Sequence, residues 1–431
     1  MTTKLVHFIR RACETLNHIH TSLMGLMFEE EGLRESFTSL DGRKACGVDE
    51  VRKEDYGRNL ESNLKDLASR IRRLGYRPKP VRRVYIPKSG GGKRPLGIPC
   101  TEDKIVQDRM SQILVGIWEP QFCDCSYGYR PGRSAHDALK RLTQVVFKER
   151  TQYVVEADIK GFFSNVSHEH LLRFLKHRIG DPVFLRLVER FLKAGVMEDG
   201  AFHGSEAGTP QGGLVSPVLS NIYLHYVLDL WFEKRFAKKC RGKVYLIRYC
   251  DDFVGCFEYR EDAEMFHHDM QLRLKEFNLE VEPNKTKILS FGSQSLGKAE
   301  ETFTFLGFTH YVARSRKGSF KVGRKTDRKR FRVKLKGINA TLRGLRTKGA
   351  AAMLEFLRQH LRGIFGYYAV SENSRAITAY YWLASKLLFK WLNRRSGRKS
   401  ITWVRFTKLL EAGLLPFPRI IHSFYTTTTR T

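Results

Sequence analysis

The chain has 431 residues, of which 42% are hydrophobic and 12% aromatic, a composition that excludes a disordered protein and exceeds one small core. Its 76 Lys and Arg against 45 Asp and Glu leave a formal net charge of +31, which points to a polyanionic partner, nucleic acid ahead of an anionic membrane surface. No apolar run approaches the ~20 residues of a membrane-spanning helix, so no membrane-integral role is expected.

The N-terminus, MTTKLVHFIRRACETLNHIH, is basic and amphipathic but lacks the apolar core of a secretory signal. The EEE run at 29–31 reads as a solvated face. Residues 86–95 (IPKSGGGKRP) place a glycine loop between two β-prone runs. The spacing is not that of a Walker A loop, which leaves a solvated hairpin turn or basic residues that close over a triphosphate. Residues 102–118 put Ile105, Val106, Met110, Ile113, Leu114 and Ile117 on one helical face. Tyr153 to Glu156 is a short apolar strand that leads into Asp158. The segment Gly208-Thr209-Pro210-Gln211-Gly212-Gly213 is either an ordinary turn or a close approach to a ligand, with Gln211 able to donate and accept. Ser216–Pro217 reads as an N-cap followed by proline at the first helical position. Residues 261–277 form a helix that buries Ala263, Phe266, Met270, Leu274 and Phe277. Beyond residue 310 there are 28 Lys and Arg against 4 Asp and Glu, and apolar and basic residues interleave at helical spacing. This shift sets a domain boundary near 308–325 and predicts a basic helical bundle after it.

The eight cysteines are scattered, with no CxxC pair; Cys123 and Cys125 read as small residues near a helix end. His168, His170, His177 and His203 share no metal-binding spacing and read as surface or helix residues. The chemistry concentrates elsewhere. In VYLIRYCDDFVGCF (244–257), Asp251 and Asp252 interrupt apolar, β-prone sequence, as at the tip of a hairpin. Adjacent carboxylates at a tight turn repel unless a cation sits between them or between one of them and a third. Asp158 at the end of a buried strand is that third acid. Three carboxylates from neighbouring strands suit two-metal phosphoryl transfer.

ADIKGFF around Asp158, then GTPQGGLVSP, RYCDDFV and Phe305-Leu306-Gly307-Phe308, occur in the order found in reverse transcriptases, which the chain resembles from about residue 35 onward. IPKSGGGKRPLGIP (86–99), SYGYRP (126–131) and the GTPQGG form are similar to the group II intron-encoded branch. The resemblance implies an α+β, right-hand polymerase. Residues 1–34 would be an N-terminal extension, 35–308 fingers and palm with an antiparallel sheet, and 309–431 an all-helical thumb and maturase region that binds RNA and DNA. It implies that Asp158, Asp251 and Asp252 are catalytic and, with the Ile159 carbonyl, hold two Mg²⁺ ions, Mn²⁺ being an allowed substitute. Lys88 and Arg94 would reach the phosphates of a deoxynucleoside triphosphate. Ile159 and Phe163 would line its site, with Phe163 excluding a 2′-hydroxyl, and Gln211 would touch the incoming nucleotide. Tyr249 and Cys250 would lie near the primer terminus, Cys250 replacing the alanine usual there.

The implied activity is RNA-directed DNA synthesis, with binding of the intron RNA to assist splicing and retrohoming by target-primed cDNA synthesis. The implied partners are group II intron RNA, an RNA template, a DNA primer and a DNA target, for a monomer or homodimer in a bacterial cytoplasm at the nucleoid, before an organelle. No paired-Cys or H-N-H signature of an appended endonuclease is seen. The rival readings are a splicing-only RNA-binding maturase and a domesticated reverse transcriptase in defence or repair.

Overall fold

The computed structural model describes residues 1–87, 92–209, 212–297, 301–395 and 400–425. Among the described residues, eleven strands occur in chain order: β1 (Val81–Pro87), β2 (Lys93–Ile98), β3 (Tyr153–Asp158), β4 (Val196–Glu198), β5 (Ala201–His203), β6 (Val244–Tyr249), β7 (Asp252–Phe257), β8 (Lys287–Ser290), β9 (Thr302–Phe305), β10 (Phe308–Arg314) and β11 (Phe320–Thr326). They form three sheets, ordered β2-β1-β4-β5, β6-β7-β3-β8 and β11-β10-β9. With many helices between them, the architecture is α+β, as the sequence pattern predicts.

The chain folds into two compact units. The first takes residues 1–135, 157–255 and 261–287; the second takes 136–156, 256–260 and 288–431. The first unit is built around the helix Thr101–Trp118, whose Ile105, Val106, Met110, Ile113 and Leu114 are sealed from solvent. The helix Thr3–Glu14 buries Leu5 and Ala12, and the hydroxyl of its capping residue Thr2 donates to Glu29 (2.8 Å). Glu29 also accepts a hydrogen bond from the fully buried Arg109 (2.7 Å), so one member of the EEE run is the counter-ion of a core cation and not a solvated residue. A buried guanidinium demands such a partner.

β1 and β2 pair antiparallel from Arg82↔Ile98 to Pro87↔Lys93, as the glycine loop between them predicts, whereas β1 and β4 run parallel, so this sheet is mixed. The helix after the GTPQGG segment begins at Ser216, with Val215 as its cap and no side-chain cap bond. Ser216 is therefore inside the helix and Pro217 sits one position later than the N-cap reading has it. Proline is tolerated there because the first-turn N–H groups have no helical acceptor. This helix runs on through two π-helical turns, His225–Asp229 and Phe232–Phe236. The helix Arg260–Glu276 buries Ala263, Phe266, Met270 and Leu274, the stripe read from the sequence.

In the second unit, the sequence from 309 is not helical at its start. β9, β10 and β11 make an antiparallel sheet, with β10 and β11 in register from Phe308↔Thr326 to Arg314↔Phe320. Residues FTHYVAR and FKVGRKT alternate as strands do, but their dense Lys and Arg read only as the composition shift that marks the boundary. The helices begin at Arg328 and run Arg328–Leu345, Ala350–Tyr368, Ser374–Asn393 and Trp403–Glu411. Met353, Leu357, Leu361, Ile364 and Phe365 are buried on one face of the second, which is the interleaving the sequence shows. The first of these helices buries only Ile338 and Leu342 and leaves Arg328, Lys329, Arg330, Arg332, Lys336 and Arg343 exposed.

Candidate active site

The apolar run before the acid pair forms β6, the run after it forms β7, and Cys250 and Asp251 make the turn between these neighbouring strands. Cys250 has a left-handed backbone (φ +58°), an uncommon state for a non-glycine residue. What holds it is Arg248, two residues earlier. Its side chain is fully buried and every donor is used. Nε and Nη2 bond to the Asp229 carboxylate (2.7 and 2.5 Å), Nη1 to Asn221 Oδ1 and the Cys250 carbonyl (both 3.0 Å), and Nη2 also to Ser126 Oγ (2.8 Å). Burial alone would lower the Arg248 pKa, but the Asp229 carboxylate outweighs it and the net shift is upward. Asn221 Nδ2 donates to the Gly128 carbonyl (2.7 Å), and Gly128 lies so close to the turn that a Cβ there would stand 2.6 Å from the Cys250 nitrogen. Only glycine fits at 128. Tyr249 lies beside Tyr129, ring centroids 6.3 Å apart.

Asp158 ends β3, and Asp252 opens β7; all three acids are half-buried. The Asp251 carboxyl is pushed above its ordinary range, first by burial and then by the negative charge of Asp158, with Arg94 opposing. The structure thus brings Asp158, Asp251 and Arg94 within electrostatic reach of one another. Lys285 forms an ion pair with Asp158 and is raised chiefly by that bond, with Glu282 and Asp252 adding to it. The segment carrying Lys285 is tied to the end of β3: Glu282 N–H donates to the Asp158 carbonyl (2.7 Å), and the buried Ile159 bridges Val281.

Phe163 is buried, and its carbonyl accepts the Thr209 N–H (2.7 Å), so the start of the GTPQGG segment docks on it. Gly208 carbonyl accepts a bond from Nε2 of His168 (2.6 Å), the buried first residue of the helix His168–Lys176, which is the helix role its spacing suggests. Beyond the segment's centre, Gly212 has φ +110°, and a Cβ there would stand 2.5 Å from the Gly97 carbonyl of β2. Leu214 N–H donates to Gln107 Oε1 (2.7 Å). Gln211 and Lys88 lie outside the described residues.

Asp158 at the end of β3 and Asp251 in the β6–β7 turn, one with an elevated pKa, are a hard-oxygen donor set whose repulsion a divalent cation would relieve. The fit is to Asp158 and Asp251 first. Among the described residues, no three His, Cys, Asp or Glu side chains are gathered closely enough to hold a metal ion as they stand. Lys285 supplies positive charge at Asp158. The sequence reading missed Lys285 and the Arg248 network, although an arginine inside a buried strand pattern is itself a signal that a partner must exist.

The reverse transcriptase (RNA-dependent DNA polymerase) family matches residues 86–310, just over half the chain. The protein is 33% identical over 333 residues to Protein YkfC of Escherichia coli K12, a match covering 70% of this chain and 85% of that protein. The chain belongs to the reverse transcriptase family.

Within that family its kinship is with intron-encoded members. It is 37% identical over 222 residues to the group II intron-encoded protein LtrA of Lactococcus lactis subsp. cremoris, covering 50% of this chain and 37% of LtrA. It is 29% identical over 246 residues to the putative COX1/OXI3 intron 1 protein of Saccharomyces cerevisiae, covering 56% of this chain and 29% of that one. The chain thus spans well under half the length of these two relatives. Members of the family use divalent metal ions and act on nucleic acids. Among the described residues, no helix is long and apolar enough to cross a membrane.

Proposed function

We propose that this protein copies RNA into DNA at the β6–β7 turn, and that the RNA it serves is a group II intron. The observation that carries the site is that Asp158, at the end of β3, lies within electrostatic reach of Asp251 in the β6–β7 turn, whose carboxyl is raised by burial and by its neighbour's charge. Asp158, Asp251 and Asp252, with the Ile159 carbonyl, are the residues that would hold two Mg²⁺ ions, or Mn²⁺ in their place. Such ions, when bound, neutralise charge on the attacking and leaving oxygens of an in-line phosphoryl transfer.

The protein's own residues do the rest. Arg94 faces Asp251 and would meet the triphosphate with Lys88. Phe163, fixed by Thr209, would form the floor of the sugar site. Gln211 would touch the incoming nucleotide, and Tyr249 and Cys250 would abut the primer end. Arg248 keeps the turn in its strained form by holding the Cys250 carbonyl.

The exposed basic face of the Arg328–Leu345 helix supports binding of structured RNA, through phosphate contacts that need no sequence match. On this reading the same chain assists splicing and carries out retrohoming by target-primed synthesis. The bacterial relatives favour a bacterial cytoplasm.

Primer extension on an RNA template, with deoxynucleoside triphosphates and Mg²⁺, tests the reading. Wild type should extend, and Asp251→Asn should lose at least about 10²-fold in rate while still binding intron RNA. Folded wild-type protein that binds intron RNA without extending a primer would favour a splicing-only maturase.

A further inference from the structure

Cys123, Cys125 and His225 form a cluster that polymerisation does not use. After the helix Thr101–Trp118 the chain makes a turn closed by Ser126 N–H to the Cys123 carbonyl (3.1 Å), so the two cysteines occupy its first and third positions. A disulfide needs Cα atoms ~4.4–6.8 Å apart. An extended chain holds residues two apart at roughly 6.6–7.2 Å, and a turn brings them closer. The Cys123 and Cys125 thiols are close enough to shift each other's titration, and His225 Nδ1 stands 3.9 Å from the Cys123 sulfur. The turn is fixed: Arg130 donates to the carbonyls of Cys123 and Ser126 (both 2.9 Å), and the Cys125 carbonyl accepts the Arg248 N–H (2.8 Å).

We propose that Cys123 and Cys125 are a reversible dithiol, oxidised by hydroperoxides to an intra-turn disulfide. Cys123 sulfur, its proton passed to His225, attacks one peroxide oxygen. The O–O bond breaks, and the departing alkoxide or hydroxide takes up that proton to leave as alcohol or water. The Cys123 sulfenic acid then meets the Cys125 thiol; an S–S bond forms and the hydroxyl leaves with the thiol proton as water. The two thiols supply the two electrons that reduce the peroxide, and an added dithiol restores the pair.

The surroundings favour this cysteine over the others. Cys125 and then His225 pull the Cys123 thiol down to about 7 against burial and the charge of Asp229. Arg248 opposes the upward shift of the Cys125 thiol, whereas the contact between Cys123 and Glu233 favours the thiol form of Cys123. Cys100 and Cys240 are pushed up by burial to about 12, and Cys250 and Cys256 are also pushed up. Cys123 is buried and Cys125 is partly exposed, so a peroxide would approach from the Cys125 side of the turn. In the structure all eight cysteines are free thiols.

The test treats the full chain with hydrogen peroxide, then denatures it, alkylates free thiols and maps peptides by mass spectrometry. The expected result is a peptide carrying both cysteines two hydrogens lighter and unalkylated, restored by dithiothreitol. The oxidation rate should rise with pH through about 7, and His225→Phe should slow it by about tenfold. Cys125→Ser, shown to be folded by circular dichroism, should accumulate a Cys123 sulfenic acid that dimedone traps. Finding both residues alkylated at a dose that oxidises the exposed Cys13 would overturn the proposal. So would a Cys125→Ser variant that yields no dimedone adduct.

Discussion

The ionised Asp251 carboxylate costs the fold stability. Its carboxyl is raised above the ordinary 3.8 by burial first and by Asp158 next, so the folded state binds this proton more tightly than the unfolded chain does. Stability is therefore greatest below the unfolded value and falls as pH rises through the raised folded one. In protein freed of divalent ions, Asp251→Asn should remove that loss and raise Tm by about 1–3 °C near pH 7, with a smaller gain near pH 4. Thermal melts at the two pH values check this; an equal gain at both would mean the charge is not the cause. The acids themselves were legible, because carboxylates inside β-prone apolar sequence demand an explanation. Lys285 was not: its ion pair with Asp158 spans 127 residues, and nothing local to PNKT marks it. The helix role of His168 was legible but its acceptor was not, since Gly208 lies 40 residues away.

At the scale of elements, the helices Thr101–Trp118 and Arg260–Glu276, the β1–β2 hairpin and the β6–β7 turn follow from periodicity and turn residues. The β10–β11 hairpin did not, because its basic side chains hide the alternation. Nor could the buried clamp on the β6–β7 turn be read, since Arg248 draws on Ser126, Asn221 and Asp229 from separate segments. Removing one partner of this fully buried pair strands the other charge. Arg248→Met should cost about 3–5 kcal/mol, while Arg248→Met with Asp229→Leu should recover much of it. Denaturant titration of the single and double variants measures this. A double variant no better than the single would show that the hydrogen bonds to Asn221, Ser126 and Cys250, and not the stranded charge, dominate.

For the whole molecule, the net charge of +31 and the exposed basic helix Arg328–Leu345 make RNA affinity a matter of counterion release. Each phosphate neutralised should contribute about −0.7 to −0.9 to the slope of log affinity against log salt, so binding should fall by orders of magnitude between about 50 and 200 mM salt. A flat dependence, followed by filter binding, would contradict the electrostatic account. The overall architecture was readable from ordered motifs. The interleaving of distant chain segments into two units was not, because composition changes along the sequence do not report which segments pack together.

On the proposed function, Asp158 and Asp251 share one of the two divalent cations of the site. Mn²⁺ titration of the folded protein, read by electron paramagnetic resonance, tests it most directly. Asp158→Asn and Asp251→Asn should each weaken the same bound Mn²⁺, and the double variant should lose little more than either single change, because partners in one site are not additive. Mn²⁺ binding that survives both substitutions, or two losses that simply add, would contradict it.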